Sequence, residues 1–464
     1  MSVARLAARL RAGELSPREA VQAYLDRIEE LDGEINAYIC VRADEALDEA
    51  ETLEQAPAQG PLWGVPVAVK DVIDVAGVPT TAASKVLDGV APAARDAHVV
   101  GRLRAAGAII LGKLNTHEFA YGAMTTSARY GAAHNPWSLD RICGGSSGGS
   151  AASAAADLAA GTLGTDTAGS IRIPSSFNGV SGLRPTTGRV SNRGVVPVAR
   201  TFDTVGPIAR TAEDCALLLE AIAGHDPEDP STVRAPVPRY SEALGGGIQG
   251  LLVGVVSALF EGAIDAAVAS AAANAVRTLR ALGGRVEEVE LPLFEHFGTI
   301  QQAMQFPEAT EAHLPWLRTR LADYGPDVRA RLLVGLFLPP TVYVTGQRAR
   351  RLVYEHMREV FRHVDVLVAP TMPVLPPRIG EDTAELNGER VPYRLTLIRF
   401  NSAWSLAGLP ALSVPCGFVD GMPVGLALVG RRFGEATLLR AAHAFQDATD
   451  WHGRRPALRL AAEV

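Results

Sequence analysis

Cysteine is scarce in this 464-residue sequence: Cys40, Cys143, Cys215 and Cys416 stand far apart and form neither a CxxC pair nor a Cys/His cluster. That argues against a zinc site or a disulfide framework, and reduced, mostly buried thiols are expected. Concentrated charge of one sign is also missing. The net charge is −7 and no run of Lys or Arg is dense enough to track a phosphate backbone, so nucleic acid is not expected as a direct ligand. Long apolar runs are absent too: the longest, such as Leu251 to Phe260, are interrupted by Gly or Ser and fall short of the roughly 20 residues that cross a bilayer. The N-terminal stretch is amphipathic and broken by charges rather than basic and then apolar, so no secretion signal is expected and the cytoplasm is the expected compartment. Ten histidines supply no H-E-x-x-H, and no P-loop with Gly-Lys-Ser/Thr occurs; no metal and no cofactor are expected.

What is present is the material of a large core, 47% hydrophobic residues against 20% charged. Ser16-Pro17-Arg18-Glu19 combines an N-cap serine, a proline in the first turn and a glutamate three residues after the cap. A helix with Val21, Tyr24, Leu25, Ile28 and Leu31 on one face follows, with Gly33 as its expected stop. Pro66 to Val72 reads as a short buried strand carrying a lysine, Lys70, where the apolar run should continue, and Ala108 to Leu111 reads as another strand. Strand-like segments are expected around Val195 and Val205. A βαβ unit is expected from a strand at Leu251 to Val256, a helix at Ile264 to Leu282 and a strand at Val286 to Val289, with a parallel pairing. Helix-like sequence reaches about residue 360; strands at Val364 to Pro370, Ala411 to Val414 and Val424 to Val429 and a helix from Glu435 complete an α/β pattern. No internal repeat and no long linker interrupts it.

Two small-residue segments dominate the middle of the chain: Gly144-Gly145-Ser146-Ser147-Gly148-Gly149-Ser150, and Gly164-Thr165-Asp166-Thr167-Ala168-Gly169-Ser170-Ile171-Arg172-Ile173-Pro174. Either alone could be a flexible spacer; two in one block point instead to closely approaching backbone. The first also matches G-x-S-x-G with Ser147 as an elbow nucleophile, but that motif requires a preceding strand, and His134 to Arg141 reads as turn-like. Gly245 to Gly250 fits G-x-G-x-x-G with the strand on the wrong side, and reads as a loop.

A serine nucleophile needs a base to take its proton during attack, and a lysine desolvated in an apolar strand can be neutral enough to serve. Lys70 fits that description. A bridging hydroxyl from Ser146 would carry the proton between Lys70 and Ser170, which makes Ser–Ser–Lys chemically sufficient. The oxyanion of the tetrahedral intermediate then requires backbone N–H donors, which Thr167, Ala168, Gly169 and Ser170 can supply, with a helix expected from Ile171.

These residues resemble the amidase signature family, whose hallmark is a GGSSGGS segment followed by GTDxGGSxRxP. The likeness extends from Gly64 to Asp71, through Gly179 to Thr186 and Gly206 to Arg210, and returns at Leu406 to Pro415. The resemblance implies that Ser170 is the nucleophile, Ser146 the bridging serine held in a cis peptide, and Lys70 the base. It implies supporting hydrogen bonds from Ser147, Asp166 and Arg172, and a single α/β domain over 1–464 with a large mixed sheet covered by helices on both faces. Within it, 1–60 would be an N-terminal helical region, 61–215 the signature core, 216–360 a variable pocket region, and 361–464 the strands and helices that complete the sheet. Two residues depart from the pattern. Ala168 stands where a glycine is common, and Asn178 where a cysteine is frequent.

The resemblance leaves the substrate open among amides, ureides, carbamates and urethanes. An apolar pocket built from Met124, Phe306, Leu336 and Trp404 would suit small aryl or alkyl amides, esters or carbamates, which is the reading placed first. The alternatives are the glutamine-hydrolysing subunit of a tRNA-dependent amidotransferase and a ureide or biuret-type hydrolase. A non-catalytic scaffold on the same fold disagrees with an intact Lys70, Ser146 and Ser170. A homodimer is the default expectation for oligomeric state.

Overall fold

The computed structural model describes residues 1–458, so the expected C-terminal region is described as far as 458. Among the described residues, eleven strands form one mixed sheet flanked by helices. Its order is Tyr38–Val41, Ile109–Leu114, Pro66–Lys70, Gly161–Asp166, Thr204–Ala209, Ser181–Arg184, Ala411–Val419, Met422–Gly430, Val366–Pro370, Leu252–Val256 and Arg285–Val289. Strand Pro66–Lys70 runs parallel to both of its neighbours, Ile109–Leu114 and Gly161–Asp166. Lys70 and Asp166 therefore both sit at the carboxyl ends of adjacent parallel strands, the edge where open α/β sheets gather their functional groups. The expected βαβ unit is present, with Leu252 opposite Arg285 in a parallel pair and the helix Ala266–Ala281 started by the Asp265 carboxylate.

The helix predicted from its capping serine spans Pro17–Ile35, and its capping box is complete. It does not stop at Gly33. Asn36 adopts the left-handed conformation at φ 55°, and the Asp32 carboxylate accepts from the N–H groups of Ala37 and Tyr38, so the stop lies at Asn36, past the glycine, and depends on side-chain acceptors. Val195 forms an isolated bridge to Ile73 rather than a strand of the large sheet. Contrary to expectation, a strand does precede the first small-residue segment: Ser138–Ile142 pairs with His134–Asn135 in a separate two-stranded sheet. Among the described residues no helix is long and apolar enough to cross a membrane.

Glycine spacing in the two segments follows from crowding. A Cβ at Gly149 would lie 2.5 Å from the Asn115 carbonyl oxygen and 2.6 Å from that of Ala37. The helix Gly148–Ala155 can thus approach the sheet only without that side chain, and it carries Ser146 with it.

Candidate active site

Strand Pro66–Lys70 is buried along its whole length, and the lysine that ends it is fully shielded from solvent. Its Nζ donates to Ser146 Oγ at 2.6 Å and to Thr165 Oγ1 at 2.9 Å. Burial pushes the Lys70 ammonium down to about 7, while the negative charges of Asp166 and Asp203 act in the opposite direction. A lysine poised there exchanges protons readily near neutral pH.

Ser146 follows a cis Gly145–Ser146 peptide bond. Its carbonyl accepts from the Thr116 hydroxyl at 3.0 Å, from the His117 N–H at 3.1 Å and from the Thr125 hydroxyl at 3.2 Å. Three donors on one oxygen hold the serine against Lys70. The second segment is tied to the first through the Ser147 N–H, which donates to the Ser170 carbonyl at 3.1 Å. The Ser147 hydroxyl is fully buried and pairs with both the N–H and the carbonyl of Thr165, as a backbone group would. Although a strand does stand before it, Ser147 offers no exposed oxygen for an elbow nucleophile.

Asp166 is clamped. Arg172 donates to both of its oxygens, Arg184 to one, and the N–H groups of Gly169 and Ile171 complete the set. Burial alone would raise its pKa, but the two guanidinium groups and these donors hold it well below the usual carboxylate range. The Gly169 N–H is thereby turned away from any oxyanion, a difference from the expected set of four donors. Thr167, Ala168 and Ser170 N–H groups remain. Gly169 itself has φ +122°, and a Cβ there would lie 2.8 Å from that of Asn401, so the turn that presents Ser170 demands glycine. A helix does follow, at Arg172–Asn178.

Ser170 lines a cavity of about 280 Å³ together with Thr167, Ala168, Ile173, Ala120 to Ala123, Gln302, Gln305, Phe306, Arg331 and Ile398. Of the four pocket residues expected from sequence, Phe306 lies in this wall. Met124 packs beside it against a cluster containing Ile142, Ile173 and Phe177. Trp404 is fully buried in the main core, and Leu336 is 48% exposed. Both corrections have a geometric cause. Ile398 and Arg331 face the cavity from the same two helices, and positions five or six residues away on a helix point about 120–140° elsewhere. Arg331 lies over the Tyr121 ring at 4.8 Å and donates to Asp327 at 2.8 Å.

Both departures from the family pattern have a place. Ala168 lines the cavity, so its methyl narrows the space beside Ser170. Asn178 donates to the carbonyls of Cys143 and Pro174, fastening the approach to the first small-residue segment onto the helix behind Ser170. Sequence reasoning missed Thr165, Arg184, Gln301 and Asp203. Thr165 and Arg184 stand inside segments already singled out; Gln301 and Asp203 carry no local signal.

Residues 19–439 match the pattern of the amidase family. A glutamyl-tRNA(Gln) amidotransferase subunit from Chromohalobacter salexigens is 41% identical over 481 aligned positions, covering 97% of each chain. A chain of an inhibitor-bound vestigial protein complex, one that reveals the evolutionary origins of an s-triazine catabolic enzyme, superimposes with a TM-score of 0.93 at 36% identity, covering 99% of this chain and 100% of that one. The corresponding glutamyl-tRNA(Gln) amidotransferase subunit from Thermotoga maritima gives a TM-score of 0.82 at 34% identity, covering 96% of this chain and 95% of that one.

Proposed function

The chain belongs to the amidase signature family of C–N hydrolases, and we propose from that premise that it forms an acyl-enzyme on Ser170 with Ser146 and Lys70 as proton relay. The observation that carries the reading is the 2.6 Å hydrogen bond from Lys70 to Ser146, with both side chains shielded from solvent. With Lys70 neutral, Ser146 passes its proton to the amine and takes one from Ser170 as Ser170 Oγ attacks the amide carbon. The oxyanion is met by N–H groups of Thr167, Ala168 and Ser170. As the C–N bond breaks, the proton returns from Lys70 through Ser146 to the leaving nitrogen. Water then attacks the ester along the same relay, restoring Ser170 and releasing the acid.

For the substrate, the sequence comparison shifts the balance from the first reading to the second. Relatives about 41% identical over nearly the whole chain are glutamyl-tRNA(Gln) amidotransferase subunits, which supports glutamine as the amide hydrolysed and further subunits as partners. Small aryl or alkyl amides and carbamates stay in view because of one observation. Phe306, Ile173, Ile398 and Tyr121 line the cavity and, among the described residues, no carboxylate does, so a substrate ammonium has no counter-ion in the wall. Ammonia release from L-glutamine, set against hydrolysis of p-nitroanilides, ureides and carbamates, separates the two when wild type, Ser170→Ala and Lys70→Ala are compared. Turnover of glutamine alone supports the amidotransferase reading; turnover of anilides or carbamates alone overturns it.

A further inference from the structure

Asp203 ends the loop before strand Thr204–Ala209 and is 7% exposed, yet neither the relay nor the clamp around Asp166 uses it. Its carboxylate is fully engaged. Oδ2 accepts from the N–H groups of Val198 and Ala199 at 2.9 and 3.0 Å, and Oδ1 accepts from the Thr167 hydroxyl at 2.6 Å. Thr167 is the first residue of the turn that carries the oxyanion donors. On the other side of that turn, Gln301 Nε2 donates to the Thr167 carbonyl at 2.9 Å. A trans peptide is planar, with its C=O and the following N–H pointing in opposite directions. Holding the Thr167 carbonyl at Gln301 therefore aims the Ala168 N–H the other way, while the Asp203 bond fixes the Thr167 side chain and stops the turn from rotating about it.

We propose that Asp203 is a positioning residue for the reaction, which acts through Thr167 to hold the oxyanion-stabilising turn. The proposal rests on the reading of Ser170 as nucleophile. The groups facing Lys70 electrostatically are Asp166 and Asp203, and Glu308 faces Asp203. Asp166 is committed to Arg172 and Arg184, so among the described residues Asp203 is the carboxylate of the two without a guanidinium partner in hydrogen-bond contact. An amide cannot replace it: the site asks for acceptors on both oxygens, and asparagine has one.

The test uses inactivation of the full chain by a fluorophosphonate, whose phosphoryl oxygen takes the oxyanion's place and which requires no knowledge of the natural substrate. Wild type, Asp203→Asn, Thr167→Val and the double variant are compared for the maximal rate, the half-saturating concentration and the pH profile. Asp203→Asn is expected to lower the maximal rate at least tenfold with half-saturation within twofold, and to shift the rising limb of the profile to lower pH. The double variant is expected to be no slower than the slower single variant. A merely structural aspartate would lower the yield of folded protein and leave the limb in place. A limb that stays put, a rate within twofold of wild type, or losses that multiply in the double variant would overturn the proposal. Should Asp203→Asn not fold, Thr167→Ser and Thr167→Val decide it: serine keeps the hydroxyl and is expected to retain the rate, and equal rates in the two contradict the role. Ser170→Ala, run in parallel, isolates the underlying reading, since continued labelling there sinks the nucleophile and not the aspartate alone.

Discussion

Lys70 and Ser146 lie 76 residues apart in sequence, yet the lysine's Nζ approaches the serine's Oγ to 2.6 Å with both side chains shut off from solvent. Two consequences follow for pH. The rate of acylation is expected to rise through about pH 7 as the amine form appears, and to lose that limb in Lys70→Met, as an initial-rate profile would record.

The same burial affects stability, with a sign fixed by linkage. Below about pH 7 the folded chain must hold a charged ammonium in a dry site, whereas the unfolded chain's lysine stays charged up to 10.5. Between those values the unfolded state binds more protons, so this residue's penalty shrinks as pH rises. Wild type should gain stability relative to Lys70→Met between pH 7 and 10, measured by urea titration at each pH. A constant difference across that range would contradict it.

Arg172 provides a second check. Its guanidinium donates to both oxygens of Asp166, to the Asn401 carbonyl and to Ser405, all without solvent exposure. Arg172→Met leaves Asp166 with one guanidinium, Arg184, beside the Gly169 and Ile171 N–H groups, and truncation of one partner in a buried ion cluster costs on the order of 3–5 kcal/mol. Arg172→Lys should recover only part of it, because one ammonium cannot reproduce the fork. Chemical denaturation reads both values.

Asn178→Ala separates scaffold from chemistry. Two carbonyls, those of Cys143 and Pro174, lose a donor, at a cost of about 1–3 kcal/mol. The pH midpoint of the rate should stay where Lys70 sets it. A shifted midpoint would mean that Asn178 reaches the relay.

Much of this is legible in the sequence, for reasons that differ by residue. An inward lysine in an apolar strand, and two glycine-rich segments too close together to be spacers, single out Lys70, Ser146 and Ser170. The fold class follows from alternating strands and helices, and the parallel pair at Leu252–Val256 and Arg285–Val289 from its βαβ spacing. Asp203 and Gln301 are invisible because a side chain that supports a loop from a distant segment leaves no periodic or motif signal. Leu336 and Trp404 are misplaced since apolar character marks a residue for burial without saying which helix face meets the cavity. The elbow at Ser147 does not fail for want of a strand, which is present; what disqualifies it is the burial of its hydroxyl against Thr165. Substrate choice is not legible in the motifs, because apolar wall residues suit many amides alike.

The most direct test of the account is to label the protein with a fluorophosphonate and map the modified peptide by mass spectrometry. A single adduct on Ser170, lost in Ser170→Ala and slowed in Lys70→Ala and Ser146→Ala at pH 8, is the predicted result. An adduct on Ser147, or full labelling in Ser170→Ala, would contradict it.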